Sequence, residues 1–167
     1  DMIEANSFPV NTLRVVLAPR GSPVTVPEDA IRREVLPSGL RLVTERMPHV
    51  RSVSIGVWLT RGSRHEPRVH EGIAHFVEHM AFNGSQNFPA GTLIEWFQRH
   101  GMSFGADTNA HTSFSETVYK LDLPNADPET IREGLEVLRD FADGLLLAAE
   151  EIEREKGVID GEERERD

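Results

Sequence analysis

The sequence predicts an α+β fold, with a mixed, largely antiparallel sheet and helices packed on one face of it. Two kinds of segment lead to this prediction. Short stretches in which apolar residues alternate with small or polar residues are typical of half-buried strands, and longer stretches with apolar residues at every third or fourth position are typical of helices. The 167 residues, 38% hydrophobic and 28% charged, are enough for one globular domain, and no apolar run is long enough for a membrane span.

The first part of the chain contains the first predicted strands. Residues 12–17 form one, and residues 27–33 are predicted as a short helix or a linker. Residues 35–45 have the pattern of a strand broken by turn residues at 37–39, and residues 53–59 alternate apolar with small side chains. Because the connection between these last two segments is short, we expect them to pair in antiparallel fashion.

A polar loop separates these strands from the predicted helices. Apolar residues at helical spacing predict a helix over residues 71–82, followed by an Asn-Gly pair that ends it, and a second helix over residues 93–100. Residues 102–123 alternate again, and they predict two strands joined near residues 109–113. Two predicted helices are thus followed by two further predicted strands, as expected for an α+β fold.

The C-terminal part predicts two more helices. The first starts at Asp127-Pro128, and its apolar face is expected to comprise Ile131, Leu135, Leu138, Phe141 and Leu145. The second runs from Ala149 to the end of the chain, where no capping residue follows. Since the chain also begins at Asp1 rather than Met, we expect it to be part of a longer protein.

Charge and cysteine content exclude several classes of function. Residues 126–167 hold 6 Lys+Arg and 15 Asp+Glu, a net charge of −9, whereas residues 1–125 hold 12 and 13, a net charge of −1. No basic stripe is present to neutralise phosphates, so the sequence argues against a nucleic-acid partner. The absence of cysteine excludes a disulfide scaffold and a cysteine nucleophile. It fits the cytoplasm, the periplasm or an organelle matrix, and the localisation stays open.

The pentapeptide HFVEH at residues 75–79 is the pattern that indicates chemistry. On a helix, His75 and His79 project from the same face one turn apart, so both imidazoles can reach one metal ion. Glu78 lies beside them, where its carboxylate could take a proton from a metal-bound water. This is the H-x-x-E-H pattern of inverted zincins. The alternative is a pair of surface histidines beside a carboxylate, but the apolar residues Phe76 and Val77 favour a helix with one defined polar face.

A catalytic zinc site needs a third protein ligand and one open position. The acidic last helix is the expected source of that ligand. Glu155 and Glu162 are two helical turns apart and share a face, and Glu151 falls near the same face. Spacing alone does not choose among these three glutamates.

Several stretches together resemble one family. The segment GIAHFVEHMAF at 72–82 is similar to the active-site helix of the pitrilysin/insulinase-type metallopeptidases. The flanking segments agree: SGLRLVTE at 38–45 and SVSIGVWLTRGSRHEP at 52–67 resemble the paired entry strands. GADTNAHTSFSETVYKL at 105–121 resembles the strand and loop beside the cleft, and EIEREKGVIDGE at 151–162 resembles the final helix.

The resemblance implies a domain division and a role for each motif residue. It covers residues 34–167, as the N-terminal portion of a pitrilysin-like catalytic domain, and leaves residues 1–33 as an N-terminal extension or partial hairpin. It implies zinc (Zn²⁺) as the cofactor and peptide-bond hydrolysis as the reaction. The implied roles are Glu78 as general base, His75, His79 and Glu162 as metal ligands, Glu155 as the residue supporting the site, and Asn109 and Ala110 as the strand positions that hold substrate.

The third ligand has two candidates even within the resemblance. The pair of glutamates seven residues apart favours Glu162 as the ligand, whereas a plain count of residues from His79 favours Glu155. The expected substrate is a peptide or an unfolded protein. Members of the family close two related halves around it, so the resemblance also implies a missing C-terminal half or a partner subunit, without which the chain is expected to be weak or inactive.

Two other functions remain open. The chain could be an inactive scaffold or binding subunit that keeps the fold without catalysis, although the intact H-x-x-E-H argues against this. It could also be an unrelated α+β protein with an incidental metal-binding helix. Zinc stoichiometry, and its dependence on His75, distinguishes these possibilities.

Overall fold

A computed structural model describes residues 12–16 and 31–166 of the chain, and its strands form one sheet. The strands are β1 (Thr12–Val16), β2 (Ile31–Val35), β3 (Arg41–Glu45), β4 (Val53–Leu59), β5 (Thr108–Thr112) and β6 (Thr117–Leu123). Their order across the sheet is β2-β3-β1-β4-β6-β5. The β1–β3 pair is parallel, and the other neighbouring pairs are antiparallel. The predicted mixed, largely antiparallel sheet is therefore confirmed.

The four helices predicted after residue 70 are present. They are α1 (Ile73–Met80), α2 (Thr92–Arg99), α3 (Pro128–Asp143) and α4 (Ala149–Arg166). Helix α1 begins later than predicted because Gly72 has a φ of +91°, a left-handed conformation that is outside the helical range and suits glycine. Among the described helices, none combines the length and the apolar composition that a membrane span requires.

The predicted pairing of the early strands is wrong. Strand β3 does not pair with β4, because β1 lies between them and runs parallel to β3 and antiparallel to β4. Residues 31–33 belong to β2 rather than to a helix or linker. The remainder of that predicted segment, and the predicted N-terminal tail before β1, lie outside the described residues. The β5–β6 turn falls at residues 113–116, slightly later than expected.

The core lies on one face of the sheet. Along β4, Val53, Ile55 and Val57 are buried, while Ser54 and Trp58 on the opposite face remain partly exposed. The helices cover the buried face, to which they contribute Leu93, Trp96, Phe97, Val137, Leu138 and Phe141. Burial of this contiguous apolar cluster is the main source of stability for a domain of this size.

Helix α3 approaches the sheet closely at Gly134. A Cβ atom at this position would lie 2.9 Å from Ile55 Cδ1, so the absence of a side chain sets the separation between α3 and β4. The buried face of α3 is rotated relative to the prediction. Leu138 and Phe141 are buried as expected, but Leu135 is 37% exposed because Gly134 and Val137 occupy the contact with the sheet.

The segment that follows α1 is fixed by a buried carboxylate. Asp140 on α3, 1% exposed, accepts hydrogen bonds from Ser85 Oγ (2.6 Å), Asn87 N (2.7 Å) and Asn87 Nδ2 (2.8 Å). Two further backbone bonds, Gln86 N to Gly144 O and Leu146 N to Gly84 O, join this segment to the connection before α4. Hydrogen bonds thus connect the segment after α1 to the segment before α4, and α4 packs against α1.

Candidate metal centre

Helix α1 presents two imidazoles at one point. His75 and His79 are separated by one turn, and their Nε2 atoms lie 3.1 Å apart with the rings in an edge-on arrangement. Both side chains are partly buried. Two nitrogen ligands of a tetrahedral zinc ion are expected about 3.3 Å apart, so this separation fits a shared metal.

The start of α1 is held by a carboxylate from the preceding loop. Glu66 accepts hydrogen bonds from the backbone N–H groups of Gly72 (2.8 Å) and Ala74 (2.7 Å). These groups have no partner within the helix, and a negative charge at this end also interacts favourably with the helix dipole. Glu66 therefore fixes the first turn of the helix immediately before His75.

Helix α4 brings a third donor to the histidines. Glu162 Oε1 lies 3.7 Å from His79 Nε2, and Glu162 Oε2 lies 3.7 Å from His75 Nε2. One donor atom from each of the three residues lies within 4.8 Å of the others. Two imidazole nitrogens and a carboxylate oxygen are a donor set that catalytic zinc sites use, with one position left open, so the residues present fit a zinc ion.

Glu155 contacts the other side of the same imidazole. Its Oε1 lies 2.7 Å from His79 Nδ1, and the residue is buried with 7% exposure. An ionised carboxylate only accepts hydrogen bonds, so this contact favours hydrogen on Nδ1, and a neutral imidazole then keeps the lone pair of Nε2 for a metal. Glu151 is directed elsewhere and pairs with Arg154. Of the three candidate glutamates, Glu162 is thus the one near both Nε2 atoms.

Asn83 connects Glu155 to the end of α1. Its Nδ2 donates to Glu155 Oε2 across 2.7 Å, and its Oδ1 accepts from Arg154 Nη2 across 3.1 Å. The buried carboxylate of Glu155 therefore has a partner on each oxygen, which is what a buried charge requires.

Glu78 is held by strand β5. The residue is 8% exposed, and its Oε2 accepts a 2.6 Å hydrogen bond from Thr112 Oγ1.

Tyr119 lies close enough to Glu78 to be affected by its charge. Burial, and secondarily the negative charge of Glu78, raise the pKa of Tyr119 well above its usual value near 10. The phenol of Tyr119 is therefore neutral at all physiological pH values.

A cleft of about 370 Å³ opens beside the histidines. Its lining combines site residues with two aromatic rings and the edge strand: Glu78, His79, Phe82, Asn83, Phe104, Gly105, Asn109, Ala110 and Glu155. The Phe104 ring stands edge-on to Phe82 at 5.2 Å and is 56% exposed. Asn109 and Ala110 lie on β5, whose outer edge is unpaired within the described part of the chain.

The sequence does not predict several residues of the centre. Thr112 contacts α1 from strand β5 and Glu66 from the loop before the helix, and no local sequence pattern predicts either contact. The sequence pattern predicts Asn83 only as part of the helix end. Its position four residues after His79 places it on the histidine face of α1, which is a signal that the sequence does contain.

Comparison with known proteins points to one family. A model of the insulinase family (peptidase family M16) matches residues 41–167. The probable zinc protease PqqL of Escherichia coli strain K12 is 35% identical over 131 residues, 77% of this chain and 14% of that protein. The crystal structure of the first half of the periplasmic protease PqqL from Escherichia coli has a TM-score of 0.77 and 31% identity, over 85% of this chain and 31% of that chain.

A relative with a different name is nearly as similar. Subunit 1 of the mitochondrial cytochrome b-c1 complex of Rattus norvegicus is 33% identical over 143 residues, 86% of this chain and 28% of that protein. The chain spans less than a third of the length of each of these relatives.

Proposed function

We propose that this chain, which belongs to the insulinase family (peptidase family M16), is the metal-binding part of a zinc-dependent endopeptidase. The observation that carries the proposal is the convergence of His75, His79 and Glu162 at one point beside the cleft that Glu78 lines. The two histidines and Glu162 would hold the zinc ion, and Glu155 would keep His79 in the tautomer that binds it.

Zinc, when bound, would polarise the scissile carbonyl and lower the pKa of a water molecule toward neutrality. Glu78 would take the proton of the attacking water as general base and then pass it to the leaving amine. Oε1 of Glu78 would carry this proton, because Oε2 takes the hydrogen bond from Thr112. Peptide hydrolysis then proceeds without a covalent intermediate on the protein.

The substrate would be a peptide or an unfolded protein bound along β5. An edge strand offers backbone N–H and C=O groups to an added strand, and Asn109 and Ala110 lie where such a strand would pass the cleft. Pairing through the backbone gives affinity with little demand on side chains, so cleavage preference would come from the cleft walls.

Full activity would require further domains, either a C-terminal half or a partner subunit. Support comes from the small share of its protease relatives that the chain spans, 14% of PqqL in Escherichia coli. We also favour the periplasm among the compartments that the sequence allows, since PqqL is described as periplasmic. Peptide hydrolysis by this chain alone, compared with that by a longer protein that contains it, tests the requirement.

An inactive scaffold is the second candidate, favoured by the similarity to a cytochrome b-c1 subunit. The decisive experiment combines zinc analysis of the purified chain with an assay of peptide hydrolysis by a longer protein that contains it. Glu78→Gln should keep one zinc per chain and lose hydrolysis. Undiminished hydrolysis by this variant would exclude Glu78 as the base, and the absence of zinc from wild type would favour the scaffold.

A further inference from the structure

Asn83 donates a hydrogen bond to the buried carboxylate of Glu155, next to His79. Both sides of its amide group are engaged, and the partners fix the orientation of that group. Nδ2 faces two acceptors, Glu155 Oε2 at 2.7 Å and the His79 carbonyl oxygen at 3.4 Å. Oδ1 faces a donor, Arg154 Nη2 at 3.1 Å. A flipped amide would place oxygen against two acceptors, so only this orientation satisfies all three contacts.

From this geometry we infer that Asn83 is a positioning residue for the metal centre, acting through Glu155 on the tautomer of His79. The inference rests on the zinc function proposed above. It adds Asn83, which lies outside the H-x-x-E-H motif and outside the glutamate pair of α4, to the residues that determine the metal centre.

Each oxygen of the Glu155 carboxylate has its own donor. Oε1 accepts from His79 Nδ1 and Oε2 accepts from Asn83 Nδ2, each across 2.7 Å. Glu155 is 7% exposed, so solvent replaces a lost partner poorly. Without the Asn83 amide, Oε2 would lose the donor that fixes the orientation of the carboxylate, so Oε1 would align less well with Nδ1 and that hydrogen bond would weaken. Neutral imidazole would then place its hydrogen on Nε2, the atom that faces His75 and Glu162.

Asn83 also joins the two helices that carry the ligands. It lies one turn after His79 at the end of α1, whereas Glu155 and Arg154 belong to α4. Glu162 lies two turns beyond Glu155 on α4, so the register of that helix against α1 also determines where the third donor falls. The Arg154 contact is exposed and would contribute little by itself.

Nitrogen NMR of His79 and zinc titration of the chain test the inference together. Asn83→Leu removes the amide but keeps the branched shape of the side chain and its lack of charge. In the zinc-free protein at about pH 8, wild type should show hydrogen on Nδ1 of His79. The variant should show a substantial population with hydrogen on Nε2, and its zinc affinity should fall about tenfold, at the lower end of the range for residues behind a ligand.

Asn125→Leu is the matched control. The Asn125 side chain accepts from the backbone N–H of Asp127 at the start of α3, away from the histidines, and its replacement should change neither readout. A loss of unfolding free energy in Asn83→Leu with an unchanged tautomer and unchanged zinc affinity would overturn the inference, because it would show a structural role only. Hydrogen on Nε2 in wild type would also overturn it.

The tautomer measurement needs no metal, which separates this inference from the proposed function. A wild-type chain that binds no zinc, but whose Nδ1 hydrogen is lost in Asn83→Leu, would contradict the zinc function and support the role of Asn83. If the chain binds one zinc ion equally well with and without the Asn83 amide, and the His79 tautomer is the same, the zinc function is supported and the role of Asn83 is contradicted.

Discussion

The Thr112 hydroxyl donates a 2.6 Å hydrogen bond to Oε2 of Glu78, and so connects the edge strand β5 to the helix that carries both histidines. The carboxylate is buried, and a hydrogen bond to a buried charge contributes about 1.5–3 kcal/mol. Thr112 thus defines the direction in which the other oxygen of Glu78 points.

Replacement of Thr112 by Val should therefore slow hydrolysis while zinc stays bound. The side chains are nearly equal in shape, but Val leaves Oε2 of Glu78 without its donor. We expect kcat to fall about 10- to 100-fold with little change in KM, because the general base loses its alignment. Steady-state kinetics measure both constants. Thr112→Ser keeps the hydroxyl and should retain most of the activity; a Val variant as active as the Ser variant would contradict the assignment.

The two glutamates of α4 should differ in their effect on zinc. Glu155→Gln is expected to weaken binding by about 10- to 100-fold, the usual effect of removing a partner of a metal-bound histidine. Glu162→Gln should weaken it more, because Glu162 lies near both Nε2 atoms. Competition with a zinc chelator gives both affinities.

Glu153→Gln provides the control for charge on the same helix. Glu153 is exposed and pairs with Lys156 instead of a histidine. Its replacement removes one negative charge and should leave zinc affinity within about twofold, as expected for a screened surface charge. If Glu155→Gln weakens zinc binding more than Glu162→Gln does, the assignment of ligand and supporting residue must be exchanged.

The sequence predicts those parts of the centre that depend on local geometry. His75 and His79 share a helix face because of the helical repeat, and the same holds for Glu155 and Glu162. Which glutamate reaches the metal depends on the rotation of α4 against α1, which neither helix encodes alone. Here Glu155 faces His79 Nδ1, so Glu162 falls on the opposite side of that ring.

The sheet likewise combines features that local sequence predicts with features that depend on contacts between distant segments. Alternation in residues 53–59 predicts β4 correctly, since a half-buried strand produces that pattern by itself. The insertion of β1 between β3 and β4 could not be predicted, because partner choice in a sheet depends on contacts between distant segments. Thr112 escaped prediction for this reason, as it lies 34 residues from Glu78.

Glu66 should contribute to stability by capping α1. Glu66→Gln keeps the size of the side chain but removes the charge that faces Gly72 N and Ala74 N. We expect the free energy of unfolding to fall by about 1 kcal/mol, as for the loss of other helix caps. Urea denaturation measures this difference. Glu71→Gln, an exposed change next to the helix, is the control, and an equal loss in both variants would mean that general charge effects rather than the cap are responsible.

Tyr119 should report the integrity of the core at alkaline pH. It is the single tyrosine of the chain and is 3% exposed. Burial and, to a lesser degree, the charge of Glu78 raise the pKa of its phenol. Above pH 10 the unfolded chain releases this proton while the folded chain retains it, so stability is fully present below pH 10 and falls by up to about 1.4 kcal/mol per pH unit above it.

Near-ultraviolet absorbance of the phenolate tests this directly, because no other tyrosine contributes. The folded protein should show no ionisation near pH 10, and phenolate should appear together with the loss of circular dichroism. In Glu78→Gln the pKa of Tyr119 should be lower than in wild type but still raised, since burial is the larger cause. Phenolate that forms near pH 10 in a protein that is still folded would show that the Tyr119 hydroxyl is open to solvent, and that the sheet beneath Glu78 is not packed as described.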